Sequence, residues 1–123
     1  MKIACIQLDV AFADPEKNFH NVQTLIEKVV SEGAELVVLP EMWNTAYALT
    51  ELEKLADIEG KRTKKFLSNL AQTYHIHIVG GSVSTKKGAN FYNTMYVYSN
   101  EGELVAEYDK AHLFRLMDEH LYL

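Results

Sequence analysis

Two charged residues of this 123-residue chain stand where charge is poorly hydrated. Glu41 directly follows the apolar run Leu36-Val37-Val38-Leu39 and a proline, Pro40. Lys110 lies in Tyr108-Asp109-Lys110-Ala111-His112-Leu113-Phe114, whose apolar and aromatic members limit its access to water. A carboxylate so placed can take up and return a proton. An ammonium fixed away from water can stabilise negative charge that develops on a nearby oxygen. On pattern alone each residue also has an ordinary reading, Glu41 as a solvated loop acid after a strand and Lys110 as a surface lysine.

The elements that must position these residues are legible in outline. Lys2 to Leu8 is apolar and β-compatible, and Asp14-Pro15-Glu16 supplies an N-cap, a proline at the first helical position and an early acid. Phe19, Val22, Leu25, Ile26, Val29 and Val30 recur at helical spacing, and Gly33 sits where a left-handed residue closes a helix, which predicts a helix over 15–32. Glu35 to Leu39, nearly all apolar and stopped by Pro40, reads as a strand covered on both faces. Strand, helix and strand make a βαβ unit whose parallel strands end on one sheet edge. Ligands gather beyond such edges, and Glu41 lies just past this one.

Thr50 and Glu53 have capping-box spacing, and a second helical pattern runs through Phe66, Leu67, Leu70, Ala71 and Tyr74, so that both helices lie over the sheet. Ile76 to Val79 predicts a strand that ends in Gly80-Gly81, where backbones approach closely, and continues through Ser82 to Thr85. Lys87-Gly88 then marks a turn. Phe91 to Ser99 and Glu103 to Tyr108 flank Asn100-Glu101-Gly102 and read as a hairpin that ends just before Lys110.

Leu39-Pro40-Glu41 and Tyr108 to Phe114 together resemble, in order and spacing, the glutamate and lysine motifs of the nitrilase family of carbon-nitrogen hydrolases. Ala4 to Gln7, Asn18, Gly80-Gly81, Tyr92-Asn93-Thr94 and Asn100-Glu101-Gly102 resemble further family features, so the likeness extends over nearly the whole chain. The resemblance implies an α/β fold of the αββα sandwich type, of which this chain is the N-terminal half. It also implies a Glu-Lys-Cys triad that hydrolyses the carbon-nitrogen bond of a small linear amide-like substrate through a thioester.

The residue types suit that chemistry. An amide is a poor electrophile, so a thiolate is needed, and a carboxylate such as Glu41 can take the thiol proton. Attack places negative charge on the carbonyl oxygen, where Lys110 would stabilise it. Glu119, in Met117-Asp118-Glu119-His120, resembles the segment with a second glutamate that the family places beside its lysine, and a neighbouring carboxylate would hold that lysine charged. Its ordinary reading is an exposed acid near a chain end.

The nucleophile is the point of departure. The family carries its cysteine well downstream of the lysine, at a strand-to-helix turn, and thirteen residues follow Lys110 here. Cys5, the single cysteine, precedes Glu41, matches no nucleophile motif and reads as a buried core thiol. The expectation is a hydrolase domain over residues 1–123 that is incomplete at its C-terminus and inactive by itself. The alternative is a catalytically inactive half-domain acting as an interaction or scaffold protein.

Composition narrows the remaining possibilities. With 48% hydrophobic and 24% charged residues the chain fits one globular domain. A net charge of -5 argues against a nucleic-acid partner. No apolar run is long enough to span a bilayer, no leader pattern opens the chain at Met1, and a single cysteine forms no internal disulfide, so the cytoplasm is the expected compartment. No glycine-rich phosphate loop is present and no cofactor is expected.

Other candidates for chemistry are weaker. His75 and His77 alternate as strand residues, with His112 and His120 elsewhere, but no cysteine or acidic spacing completes a metal set. Lys61, Arg62, Lys64 and Lys65 read as a solvated helix start rather than a phosphate site. Of the aromatic residues Trp43, Tyr47, Phe91 and Tyr92, the neighbourhood of Trp43 is the expected lining beside Glu41. The expected partners are a small amide-like substrate and, for the intact enzyme, further copies of itself in a homo-oligomer.

Overall fold

The predicted βαβ unit forms. β1 (Ile3–Cys5) pairs in parallel with β2 (Leu36–Val38), through Ile3–Leu36, Ala4–Val37 and Cys5–Val38, and α1 (Pro15–Ser31) connects them. The computed structural model describes residues 1–111 and 119–123; His112, Leu113 and Phe114 of the lysine motif, and Met117 and Asp118, lie outside the described residues. α1 begins as its sequence dictates, with the Asp14 carboxylate accepting from the Lys17 N–H at 3.1 Å and Pro15 in the first turn. Gly33, at φ +94°, turns the chain out of the helix. Both strands are shorter than their apolar runs, because beyond the ladder only single bonds persist, such as Ile6 N–H to Val38 at 2.9 Å.

β2 also pairs in parallel with β4 (His77–Val79), which runs antiparallel to β6 (Asn90–Tyr98). β5 (Val83–Lys87) continues along β6, the two-residue β3 (Asp57–Ile58) joins β5, and β7 (Leu104–Asp109) forms the predicted hairpin with β6. Gly102 takes φ +81° in that hairpin turn. The result is a mixed sheet of seven strands among the described residues.

The predicted capping box does not form. Thr50 lies inside a 3-10 turn, Leu49–Glu51, and α2 (Leu52–Leu55) has no side-chain cap. The Glu53 carboxylate instead meets the Lys86 ammonium at 2.7 Å, a charged partner that its own backbone cannot match. α3 (Lys61–Tyr74) is capped from β3: the Asp57 carboxylate accepts from the N–H groups of Arg62 at 3.2 Å and Thr63 at 2.7 Å. Arg62 pairs with both carboxylate oxygens of Glu16, at 2.6 and 3.0 Å, and lies over the Phe19 ring, so the basic start of α3 is tied to α1.

α1 and α3 cover one face of the sheet. Phe19, Val22 and Ile26 of α1 and Leu67, Leu70 and Ala71 of α3 pack in one core with Val37, Ile78, Tyr96 and Tyr98. The alternate residues point the other way. Cys5, Val38, Val79 and Val97 are in register across four strands on a face that neither helix covers, with the valines half-buried. Two expectations are thereby corrected. Among the described residues β2 is covered on one face only, and Cys5 is an exposed thiol rather than a buried one, because pleat parity sends it to the open face. No described helix is long and apolar enough to cross a membrane.

Gly80 and Gly81 bear out the predicted close approach. A Cβ on Gly80 would stand 2.5 Å from the Tyr96 carbonyl oxygen, and one on Gly81 2.0 Å from that of Pro40. Gly81 also adopts φ +58°. The segment after β4 is thus pressed against the residue that precedes Glu41.

Candidate active site

Glu41 opens a loop that is fastened to the Gly80–Ser84 segment at several points. Ser82 donates its N–H to the Pro40 carbonyl at 3.1 Å, its Oγ accepts from the Met42 N–H at 3.0 Å, and its carbonyl accepts from the Trp43 N–H at 3.0 Å. The buried Asn44 amide donates to the Ser84 carbonyl at 3.1 Å and accepts from the Ser84 N–H at 2.9 Å. Asn18 reaches from α1 to donate to the carbonyls of Ala11 and Asn44, at 2.8 and 2.9 Å. These bonds satisfy the buried loop backbone and hold the turn that presents Glu41.

Lys110 arrives at the end of β7, and its backbone N–H bonds to the Asn93 carbonyl at 2.8 Å. Its Nζ lies 2.6 Å from Glu41 Oε1 and 2.9 Å from Glu119 Oε1. The three residues singled out in the sequence therefore meet. Glu119, on the short helix α4 (Glu119–Tyr122), is fully buried rather than exposed, whereas the Glu41 side chain is 45% exposed. The Asn93 amide nitrogen bridges the two acids, 2.9 Å from Glu41 Oε1 and 2.6 Å from Glu119 Oε2. A cavity of about 290 Å³ opens here, lined by Glu41, Gly81, Ser82, Asn93, Met95, Tyr108 and Lys110.

Sequence reasoning missed two contributors. Asn93 was legible only as part of the Tyr92-Asn93-Thr94 motif; register supplies the reason for its placement, since it faces the same side of β6 as Met95. Tyr47, not Trp43, is the aromatic neighbour of Glu41. Trp43 is fully buried, packed edge-on against Phe19 with its indole N–H on the Gly80 carbonyl at 2.8 Å. His75 and His77 do not share a strand, because His75 caps α3 at φ +54°. Among the described residues no three His, Cys, Asp or Glu side chains are placed to hold a metal.

The charges reinforce one another. Burial by itself pushes the Glu41 carboxyl upward, but hydrogen bonds from Lys110, Asn93 and Tyr47, with the lysine's charge, bring it below the usual carboxylate range. Burial likewise lowers Lys110, and the bonds to Glu41 and Glu119 more than reverse this, so the ammonium is held above the usual lysine range. Burial, then the negative charge of Glu41, raises the Tyr47 phenol, which stays protonated and able to donate.

The sign of the pH dependence follows. A depressed Glu41 contributes stability present above its unfolded value and lost as pH falls through the folded one. A raised Lys110 contributes stability present below its unfolded value and lost as pH rises through the folded one. Thermal unfolding of Glu41→Gln should therefore lack part of the acid-side loss seen in the parent chain. The difference should shrink with salt, because Glu41 is half exposed. Identical acid limbs for the two proteins would contradict the arrangement.

Known proteins resemble this chain in sequence and fold. A model of the family described as Carbon-nitrogen hydrolase matches residues 2–122. The 2-oxoglutaramate amidase of Bacillus subtilis is 46% identical over 121 residues, which is 98% of this chain and 46% of that protein. The chloroplastic omega-amidase of Arabidopsis thaliana is 34% identical over 117 residues, covering 91% of this chain and 31% of that one. The crystal structure of Saccharomyces cerevisiae Nit3, a member of branch 10 of the nitrilase superfamily, superposes with a TM-score of 0.87 at 32% identity, over 100% of this chain and 47% of that one. The chain thus spans about half the length of such relatives or less. With the mixed α/β sheet, the Glu41 and Lys110 motifs and a family match over nearly its whole length, the chain belongs to the carbon-nitrogen hydrolase family.

Proposed function

We propose that this chain supplies the glutamate and lysine of an amidase active site, with Glu41, Lys110 and Glu119 as site residues. The cysteine nucleophile lies on a segment outside these residues, and the intact enzyme is a homo-oligomer in the cytoplasm. The observation that carries the reading is the Lys110 ammonium, held 2.6 Å from Glu41 and 2.9 Å from Glu119 at the mouth of a cavity. In the reaction, Glu41 takes the thiol proton and the sulfur bonds to the amide carbon. Lys110 stabilises the oxyanion. The carbon-nitrogen bond then breaks, and the proton passes from Glu41 to the leaving ammonia. Glu41 next activates a water that cleaves the thioester, releasing the acid and restoring the thiol.

The names of the relatives favour a short, linear substrate carrying a terminal amide, with 2-oxoglutaramate as the first to try. The test is release of ammonia from 2-oxoglutaramate and from simple aliphatic amides by the full-length product of the reading frame. Turnover that disappears on alkylation of a cysteine other than Cys5 is expected.

A second reading, an inactive half-domain serving as an interaction protein, draws support from the apolar sheet face that the described residues leave uncovered. Met1, Leu36, Val79, Val97 and Val105 line a groove there. A reading frame that closes after Leu123, yielding a soluble, cooperatively folded product without ammonia release, would replace the amidase reading with this one.

A further inference from the structure

Which face of the sheet Lys110 takes depends on the register of β7, and burial within the described residues does little to specify it. Leu104 to Tyr108 are all exposed and Asp109 is half-buried. The hairpin turn does not specify it either. Tyr98 pairs with Leu104 but Val97 with Ala106, so Val105 is an extra residue, bulged out of the ladder. As the strands stand, the Lys110 N–H on the Asn93 carbonyl continues the pairing of Thr94 with Asp109, and Lys110 lies with Asn93 on the side of Glu41. If β7 slid by one residue and absorbed the bulge, position 109 would stand opposite Asn93 and Lys110 opposite Tyr92. Side chains alternate between the two faces, so the slip would turn Lys110 to the helix-covered side, away from Glu41.

Asp109 is held on that helix-covered side by two other strands. Thr94, opposite it on β6, donates its hydroxyl to Asp109 Oδ1 at 2.7 Å. A hydroxyl has one proton to give. Thr85 of β5, whose Oγ1 lies 2.7 Å from that of Thr94, is therefore the donor in the next bond. Both threonines are fully buried. From the same strand the Lys87 ammonium reaches both carboxylate oxygens of Asp109, at 2.9 and 3.0 Å, and Glu107 Oε2 at 3.2 Å. Hydrogen bonds to an ionised carboxylate are among the stronger ones a side chain makes. The slip would break those of Asp109, by moving it to the opposite face.

We propose that Asp109 is a positioning residue: its bonds to Thr94 and Lys87 pin the β6–β7 register and so present Lys110 on the face that holds Glu41. The work done by Lys110 rests on the amidase reading, but the register can be seen without turnover. In the full-length protein, Asp109→Ala removes the anchor, and deletion of Val105 from that variant removes the slack.

The crystal structure of Asp109→Ala is expected to show β7 slipped by one residue, or without order beyond the bulge. Its kcat for ammonia release, per folded protein, should fall about 100-fold with little change in KM, as for a misplaced catalytic group. Deleting Val105 as well makes the working register the one without a bulge, so the register and most of the kcat should return. A role in stability alone predicts no return, because the deletion restores none of the lost bonds. Thr94→Val, which keeps the shape and loses the hydroxyl, should lose part of kcat, whereas Thr94→Ser should match the parent. Lys110 still bonded to Asn93 in the Asp109→Ala crystal overturns the proposal, and so does a loss that the deletion leaves unrepaired. If Asp109→Ala does not fold, equal kcat in Thr94→Val and Thr94→Ser overturns it. Undiminished turnover in Lys110→Ala would sink the role of the lysine in the amidase reading and leave the crystallographic register to decide on Asp109.

Discussion

Glu41→Gln in the full-length protein is expected to lower kcat for ammonia release by about 100- to 10,000-fold, the range for losing a positioned general base. Glutamine keeps the size of the side chain and an oxygen to accept from Lys110, which holds Glu41 Oε1 at 2.6 Å. It cannot take a thiol proton or activate water. Because the proposed mechanism uses Glu41 in both half-reactions, neither formation nor hydrolysis of the thioester should proceed at a useful rate, and no burst of ammonia should precede the slow phase. KM should change little, and thermal unfolding at neutral pH should stay near that of the parent, since the side chain is half exposed. Turnover within about tenfold of the parent would refute the role.

Gly81→Ala is expected to give the largest loss of stability among simple substitutions, roughly 2–4 kcal/mol, from backbone strain and a clash together. The new methyl would stand 2.0 Å from the Pro40 carbonyl oxygen and 2.6 Å from that of Leu39. Both are backbone atoms of the segment that leads into Glu41, so relief of the clash displaces the site. Gly88→Ala is the control. Gly88 has φ +62°, close to the +58° of Gly81, but nothing lies within 4 Å of its added Cβ. It should lose only about 1 kcal/mol, the strain alone. Chemical denaturation of both variants separates the effects, and equal losses would show that the close approach at Pro40 is unimportant.

What the sequence disclosed was mostly backbone punctuation. Asp14-Pro15, Gly33, Gly80-Gly81 and Asn100-Glu101-Gly102 each demand a particular local conformation, and each adopts it. Glu41 and Lys110 were visible through motif resemblance joined to their places after strands. Choices of face and partner were hidden. Lys2 to Leu8 has no clear alternation, so nothing local told Cys5 which side of the sheet it would take; register with Val38 and Val79 decides that. The Thr50–Glu53 spacing suits a cap, but Lys86 on a distant strand binds Glu53 instead. Trp43 and Tyr47 are both aromatic and near Glu41 in sequence, and only the three-dimensional turn sends the first inward and the second to the carboxylate.

The bond from the Lys110 N–H to the Asn93 carbonyl has a consequence for the order in which the molecule assembles. Glu41 and Lys110 are 69 residues apart, a separation whose closure in one step would lose considerable chain entropy. The clamp between Pro40 and Gly81–Ser82 and the β5–β6 ladder bring Asn93 to Glu41 first, without any participation of Lys110. Only the β6–β7 hairpin then has to zip, a short-range event on the microsecond scale for such elements. The ammonium is thus expected to meet a Glu41 carboxylate already in place, the Glu41–Lys110 pair forming with the closing hairpin rather than nucleating the fold.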